Sequence, residues 1–489
     1  MRSILNVLHA LGLTMVVFAT TLLFPYALSR LFQDGAHDSF MTSFMLAAGS
    51  GLLLWLLTYP FRRELRPRDG LLLVFLVWTV FPLLASLPLM LEASHLGVKL
   101  SFTHAYYEAM SGLTTTGASV LPDVTQLPKS LNLWRHTLVW FGGMGILVLA
   151  VAILPMLGVG GHQVMRGEMP GPMKEEKLTP RIAGTAKVLY AIYFSASVLC
   201  LIAYRLTGMN WFDAWCHTAS TMGLGGFSTY SGGFVDINSP AAEMVAMVFM
   251  LFAGINFATH FKVIRNRDLS IYRSCPETIP FLRLVLVSAV LISLYLYFSN
   301  EYGSLIEAFR FGMFNTISVA TTTGFANVDY LQWPLFLPIV MLFLGACATS
   351  SGSTGGGIKM IRLILVIKQI RTEIRHILHP HAVFPVRLGA RIIDQGVLMS
   401  IMVFMLVYAL TLMVLSAVML LSGLEPTTAF SATFASLNNI GPGLGGVGPM
   451  GNYSVLSDFQ IWVCTFAMLI GRLELFTVLV IFTPGFWRR

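Results

Sequence analysis

Four short strips of this 489-residue chain carry the residue types that strip water from a small cation. They read Ser111-Gly-Leu-Thr-Thr-Thr-Gly117, Ser220-Thr-Met-Gly-Leu-Gly-Gly226, Ser318-Val-Ala-Thr-Thr-Thr-Gly324 and Ala435-Ser-Leu-Asn-Asn-Ile-Gly441. They superpose without gaps, and each has a small residue six places before a Gly. Backbone carbonyls set in rings replace the hydration shell of an ion. Gly allows the close approach and positive φ that such a backbone needs, and Thr hydroxyls add acceptors. The residues expected to hold an ion are Thr115, Thr116 and Gly117, then Leu224, Gly225 and Gly226, then Thr322, Thr323 and Gly324, and last Asn439, Ile440 and Gly441. One strip alone would read as a surface turn, where Gly and Thr are common. Four in register point to a filter.

A second run of small residues spans 345–357: Gly345-Ala-Cys-Ala-Thr-Ser-Ser-Gly-Ser-Thr-Gly-Gly-Gly357. No helix is expected to survive that composition, so the apolar segment around it should break near mid-membrane, just below the third strip. Gly345, Gly352, Gly355, Gly356 and Gly357 are read as a gate. The alternatives are a hinge or a close-packing site, and a phosphate loop. Lys359 is present for the last, but G-x-x-x-x-G-K-[ST] is not matched. Arg472 lies in the apolar run Ile470-Gly-Arg-Leu-Glu-Leu475. Burying it in lipid would cost at least ~2.5–3.5 kcal/mol, so it should face protein or water. It is read as a fixed charge below the filter, or else as half of an ion pair. Glu474 is the obvious partner, yet i,i+2 neighbours diverge on a helix. Glu108 and Asp213 precede strips and either attract cations or cap helices. His376, His379 and His381 cluster in a basic segment, as a metal site or simply as loop.

These residues need a scaffold. Hydrophobic residues make up 56% of the chain and charged ones only 11%, with a mean hydropathy of +0.74. That balance excludes an ordinary cytosolic enzyme, a disordered chain and a coiled coil. Five scattered Cys form neither a disulfide framework nor a zinc site. Ten long apolar segments are expected, near 4–28, 40–59, 70–93, 134–158, 184–206, 240–262, 279–299, 334–370, 394–422 and 456–484. The first reads as a retained helix, too long for a signal peptide.

Most of the 31 basic residues fall on one face, among them Arg2, Arg62, Arg63, Arg66, Arg68, Arg166, Lys174, Lys177, Lys262, Arg265 and the segment 359–391. The opposite loops hold Arg30, Lys99, Lys129, Arg135, Arg205 and Arg310. The positive-inside rule puts both termini in the cytoplasm. The net charge of +8 is thus a topology signal, and lipid headgroups suit it better than nucleic acid.

From residue 70 onward the long segments pair. Between partners lies a stretch of roughly 12–15 apolar residues, too short to span a bilayer, that runs into a strip. Ser304-Leu-Ile-Glu307 reads as a capping box, Asn210 as a cap for the second short helix, and Pro426 as a first helical position. The expected fold is an all-α membrane protein with a pseudo-fourfold pore of four helix–re-entrant loop–helix repeats. Its divisions are 1–65 for two N-terminal transmembrane helices, then 66–165, 166–270, 271–385 (with the gate loop) and 386–489 for the repeats. Each short helix points its negative C-terminal end at the axis, which favours a cation.

The stretches Leu-Thr-Thr-Thr-Gly-Ala-Ser (113–119), Gly-Gly-Phe-Ser-Thr (225–229), Ala-Thr-Thr-Thr-Gly-Phe (320–325) and Leu-Asn-Asn-Ile-Gly-Pro-Gly (437–443) resemble the TrkH/TrkG branch of the bacterial Trk/Ktr/HKT potassium-transporter superfamily. The likeness covers essentially the whole chain, including the two N-terminal helices. It implies a single-chain pore with filter glycines at Gly117, Gly226, Gly324 and Gly441, potassium as the ion held at the filter residues, and an intramembrane loop that closes the path. Gly rather than Ser at 117 favours potassium over sodium. The resemblance also implies a homodimer in the inner membrane and a cytosolic nucleotide-binding partner, TrkA. No NAD or ATP fingerprint occurs in this chain, so no cofactor of its own is expected.

Three functions compete. A gated potassium pore is favoured. A sodium- or proton-coupled symporter on the same scaffold would keep ionisable relays at mid-membrane, where mainly Arg472 and Glu474 are found. A membrane-embedded enzyme would need a nucleophile–base or metal cluster, and none stands out.

Overall fold

The computed structural model describes residues 2–63, 65–95, 100–152, 179–389 and 391–488. The basic residues Lys99, Arg166, Lys174 and Lys177, and the expected boundary at 165/166, lie outside them. Among the described residues the fold is all-α apart from a hairpin of two two-residue strands, Arg387–Leu388 and Arg391–Ile392.

Six helices among the described residues are long and apolar enough to cross a membrane, or eight if each of two bent pairs counts as one span. The N-terminal run divides at a short turn into Arg2–Thr20 and Leu23–Phe32, and packs on His37–Thr58. The contact is close because a methyl on Gly12 would strike the Trp55 backbone and one on Gly51 would strike Met15.

Four helix–short helix–helix units follow. Their short helices are Phe102–Leu113, Trp211–Gly223, Leu305–Ala320 and Pro426–Asn438. Ser101 caps the first by accepting from the His104 N–H, and Asn210 caps the second from the Asp213 N–H. Glu425 caps the fourth through the N–H groups of Thr427 and Thr428. The expected capping box at Ser304 is not made: Ser304 stands at the N-cap, but its side chain accepts no capping bond.

Two expected spans are corrected. The segment 240–262 is not one helix but Pro240–Ala253 and Phe257–Asn266, set at 89°. Gly254 and Asn256 cause the break, since Asn256 turns its side chain to cap the second piece through the Ala258 N–H. The last span, 456–484, likewise breaks into Asp458–Arg472 and Leu475–Ile481 at 109°, with Glu474 in the left-handed region. The break in 334–370 is as expected: helix Phe336–Cys347 ends, an irregular loop follows, and Met360–Leu378 begins. Three inner helices thus break below the strips, and the freed backbone polar groups must find partners inside the protein.

Candidate functional site

The four short helices end alike. Each closes with a non-glycine residue in the left-handed conformation, at Thr115, Leu224, Thr322 and Asn439, with φ of 53°, 56°, 61° and 53°. Each also makes the same pair of terminal hydrogen bonds. The next residue's N–H reaches back five positions, from Thr116 to Ser111, Gly225 to Ser220, Thr323 to Ser318 and Ile440 to Ala435, at 2.8, 3.0, 2.8 and 2.9 Å. The left-handed residue itself bonds three positions back, as Thr115 does to Gly112. These are Schellman endings. The small residue six places before each Gly is the acceptor that the chain must wrap around. A left-handed L-residue costs roughly 1 kcal/mol, and the same cost recurs at the equivalent point of all four short helices.

The glycines that follow are left-handed as well, at φ +78°, +46°, +86° and +97° for Gly117, Gly226, Gly324 and Gly441. Their neighbours reveal the arrangement. A methyl on Gly117 would strike the Gly225 carbonyl, one on Gly226 that of Thr323, one on Gly324 that of Ile440, and one on Gly441 that of Thr116. Strip one abuts two, two abuts three, three abuts four, and four abuts one. The strips therefore close a ring, with the twelve expected residues within it. Above it opens a vestibule of about 340 Å³ lined by Gly117, Gly226, Gly324 and Pro442.

Side chains lock the ring. Thr114 and Thr116 hydroxyls meet at 2.8 Å, as do those of Thr321 and Thr323. The Asn439 amide donates to Thr116 Oγ1 at 2.9 Å and to the Met468 carbonyl at 3.1 Å, tying strip four to strip one. Tyr453 donates its hydroxyl to the Gly441 carbonyl at 2.8 Å. The inner helices seat on the strips through glycine: a methyl on Gly142 would strike the Leu113 carbonyl, one on Gly345 that of Val319, and one on Gly471 that of Leu437.

Directly beneath lies the loop between Cys347 and Met360, and it touches the undersides of the strips. Thr354 Oγ1 donates to the Met222 carbonyl at 3.0 Å, and the Gly356 N–H to Thr322 Oγ1 at 3.0 Å. Gly356 also sits against the Asn438 carbonyl, and Gly357 against that of Ala346. Gly352 packs on the Asn256 side chain, and its carbonyl accepts from the Phe257 N–H at 3.1 Å. The broken second-repeat helix is thus the loop's socket. Arg472, 2% exposed, donates to the Thr354 carbonyl at 2.9 Å and to the Gly142 carbonyl at 3.2 Å. It joins loop, first repeat and fourth repeat.

Glu474 is not its partner. That carboxylate pairs with Arg362, whose guanidinium lies 4.0 Å from the Phe404 ring. Lys359, buried at 9% exposure, donates to the Gly355 carbonyl rather than standing ready for phosphate. The sequence reading missed Glu277, which accepts from the Ser351 N–H at 2.9 Å and the Ile361 N–H at 3.1 Å and so clips the two ends of the loop together. It also missed Lys359 as a loop clasp, Arg362 and Asn256. A signal existed only for Asn256, a Gly-x-Asn interrupting an apolar run.

Glu108 lies within its helix and does not cap it: it is buried and paired with Arg135, itself 1% exposed. Asp213 accepts from Thr229 and Tyr230 hydroxyls. His376 and His379 face the Phe384 ring. Among the described residues no group of three or more His, Cys, Asp or Glu is placed to hold a metal ion.

The profile of TrkH, described as a cation transport protein, matches residues 36–488. The chain belongs to the TrkH family. The Trk system potassium uptake protein TrkH of Halomonas elongata is 42% identical over 491 residues, covering 100% of both chains. Its counterpart in Escherichia coli K12 is 40% identical over 480 residues, 98% of each. The crystal structure of the potassium transporter TrkH from Vibrio parahaemolyticus superposes with a TM-score of 0.90 at 38% identity, covering 100% of this chain and 99% of that one. The pseudo-fourfold arrangement is that of this family, whose members are multi-span membrane transporters and not enzymes.

Proposed function

We propose that this chain conducts potassium inward across the bacterial inner membrane, through rings of peptide carbonyls at residues 115–117, 224–226, 322–324 and 439–441. The observation that carries the reading is the closed cycle in which each ring glycine abuts the next strip's carbonyl. Four short helices end on that ring, and their negative ends favour a cation. Relatives named for potassium uptake support the choice of ion.

The loop after Cys347, carrying Gly352, Gly355, Gly356 and Gly357, forms the gate with Arg472, and Gly345 lies in the helix that leads into it. The loop lies across the underside of the ring, hydrogen-bonded to strips two and three, and Arg472 holds it with a fixed positive charge. The naming of the relatives as parts of a Trk system fits control by a cytosolic TrkA-type nucleotide-binding partner acting on a homodimer. Both termini are cytoplasmic, because the basic loops share their side.

A coupled symporter is the second reading, favoured by buried Glu277 and Lys359 near the loop. Each is bonded to the loop's backbone, which suits a clasp better than a proton relay. Reversal potentials of reconstituted protein between potassium and sodium solutions test the proposal. Reversal near the potassium potential with unitary currents is expected. Reversal near the sodium potential would overturn the choice of ion, and a fixed ion stoichiometry would overturn the pore.

A further inference from the structure

Nine residues before each ring glycine stands a side-chain position facing the lip of its own strip: Glu108, His217, Asn315 and Ala432. The first three brace the residues just beyond the glycine. Glu108 accepts from Ser119 Oγ at 3.0 Å and from the Val120 N–H at 3.1 Å. His217 Nε2 meets Ser228 Oγ at 3.1 Å. Asn315 Nδ2 donates to Asn327 Oδ1 at 2.6 Å. In the fourth repeat Ala432 has no polar group, and its neighbour Ser431 bonds the Leu444 backbone instead, at 2.8 and 3.1 Å.

Three neutral struts do the same mechanical task as one ionic strut. The ionic strut reaches across the junction of repeats one and two with a charged group, where the neutral His217 meets Phe325 of repeat three only ring to ring, at 6.1 Å. Arg135 donates Nε–H to Glu108 at 2.8 Å and a second N–H from Nη2 to the same oxygen, and Nη1 donates to Asn132 at 3.0 Å. Its guanidinium carbon lies 4.3 Å from the ring centre of Phe227, the residue directly after Gly226. Both charged side chains are buried, at 1% and 0% exposure. A buried pair is costly to desolvate, and breaking it strands a charge, so neither partner leaves its position without leaving the other unpaired.

We propose that the Glu108–Arg135 pair is the positioning brace that fixes strips one and two against each other, and thereby sets how sharply the ring separates potassium from sodium. This rests on the carbonyl-ring reading above. A purely structural pair would influence yield and thermal stability but not ion discrimination.

The full chain, reconstituted in planar bilayers, is assayed by bi-ionic potassium/sodium reversal potentials, with folding checked by gel filtration in detergent. Glu108→Gln keeps the strut's shape but strands Arg135, and Arg135→Lys keeps the charge but loses the guanidinium's planar, multi-donor contact. Each is expected to lower the potassium-to-sodium permeability ratio about tenfold. Arg310→Gln, which breaks the rim pair with Glu243, leaves the ratio unchanged. An undiminished ratio in folded Glu108→Gln and Arg135→Lys overturns the brace. Should Glu108→Gln not accumulate, Ser119→Ala cuts the strut's other end, and a retained ratio there is equally fatal. Gly324→Ala separates the two readings. If it abolishes selectivity while the brace variants do not, the ring stands and the brace falls; if it too is without effect, the ring reading itself fails.

Discussion

Arg472→Ala should raise the flux of the isolated protein. Arg472 holds the loop through one charge-assisted hydrogen bond to the Thr354 carbonyl at 2.9 Å, and anchors itself on the Gly142 carbonyl at 3.2 Å. A hydrogen bond to a charged group contributes about 1.5–3 kcal/mol. Removing the loop bond therefore shifts the loop's closed-to-open equilibrium roughly ten- to a hundredfold toward open. On the proposed gate reading a buried positive charge beneath the ring is removed as well, and that acts in the same direction. Thr354→Val is the graded companion: it removes the neutral hydroxyl, bonded to the Met222 carbonyl at 3.0 Å and more weakly to that of Ala253 at 3.5 Å, about 1 kcal/mol, for roughly a fivefold increase. The assay is rubidium uptake into proteoliposomes at matched protein content and without any partner. The order Arg472→Ala above Thr354→Val above the unmodified protein supports a loop that opens against these two bonds. Equal flux in all three refutes it.

Further consequences follow from the packing. Gly471→Ala places a methyl against the Leu437 carbonyl and should destabilise the protein by about 1–3 kcal/mol, while Gly49→Ala, in open space, does not; thermal unfolding in detergent separates them. Glu474→Gln strands the buried Arg362 and should cost about 3 kcal/mol, read as a lowered unfolding temperature that Arg362→Met partly restores in the double variant. The N–H of Thr428, aided by Thr427, holds the exposed Glu425 carboxyl down at about 2 against an ordinary 4.5. Its folded pKa is depressed, so its stabilisation is present above the unfolded value and lost as pH falls from about 4.5 through about 2. Glu425→Gln should flatten the acid limb of the unfolding curve over that window.

The strips were legible because a Schellman ending and a close ring impose residue types at fixed register: a small acceptor such as Ser111, and a glycine such as Gly117 six places on. The loop was legible by composition, since a run this rich in Gly, Ser and Thr does not hold a helix, although its first three residues, Gly345 to Cys347, stay helical. The break at 473–474 was not, and that at 254–256 was marked only by its Gly-x-Asn, because hydropathy sums over a window and is indifferent to a bend inside it. The Arg362–Glu474 pair and the Glu277 clip join residues 112, 74 and 84 positions apart, and no local pattern encodes such pairings. Ser304 shows the opposite failure: the capping-box letters are present and the bond is not made, because a motif permits a hydrogen bond without requiring it.

Four unequal strips around one axis should hold a cation between them. Anomalous diffraction from crystals grown in rubidium tests it most directly. A rubidium peak is predicted on the axis, within coordination distance of the carbonyls of Thr116, Gly225, Thr323 and Ile440. Rubidium peaks confined to the surface, with the space between those four carbonyls empty, would contradict it.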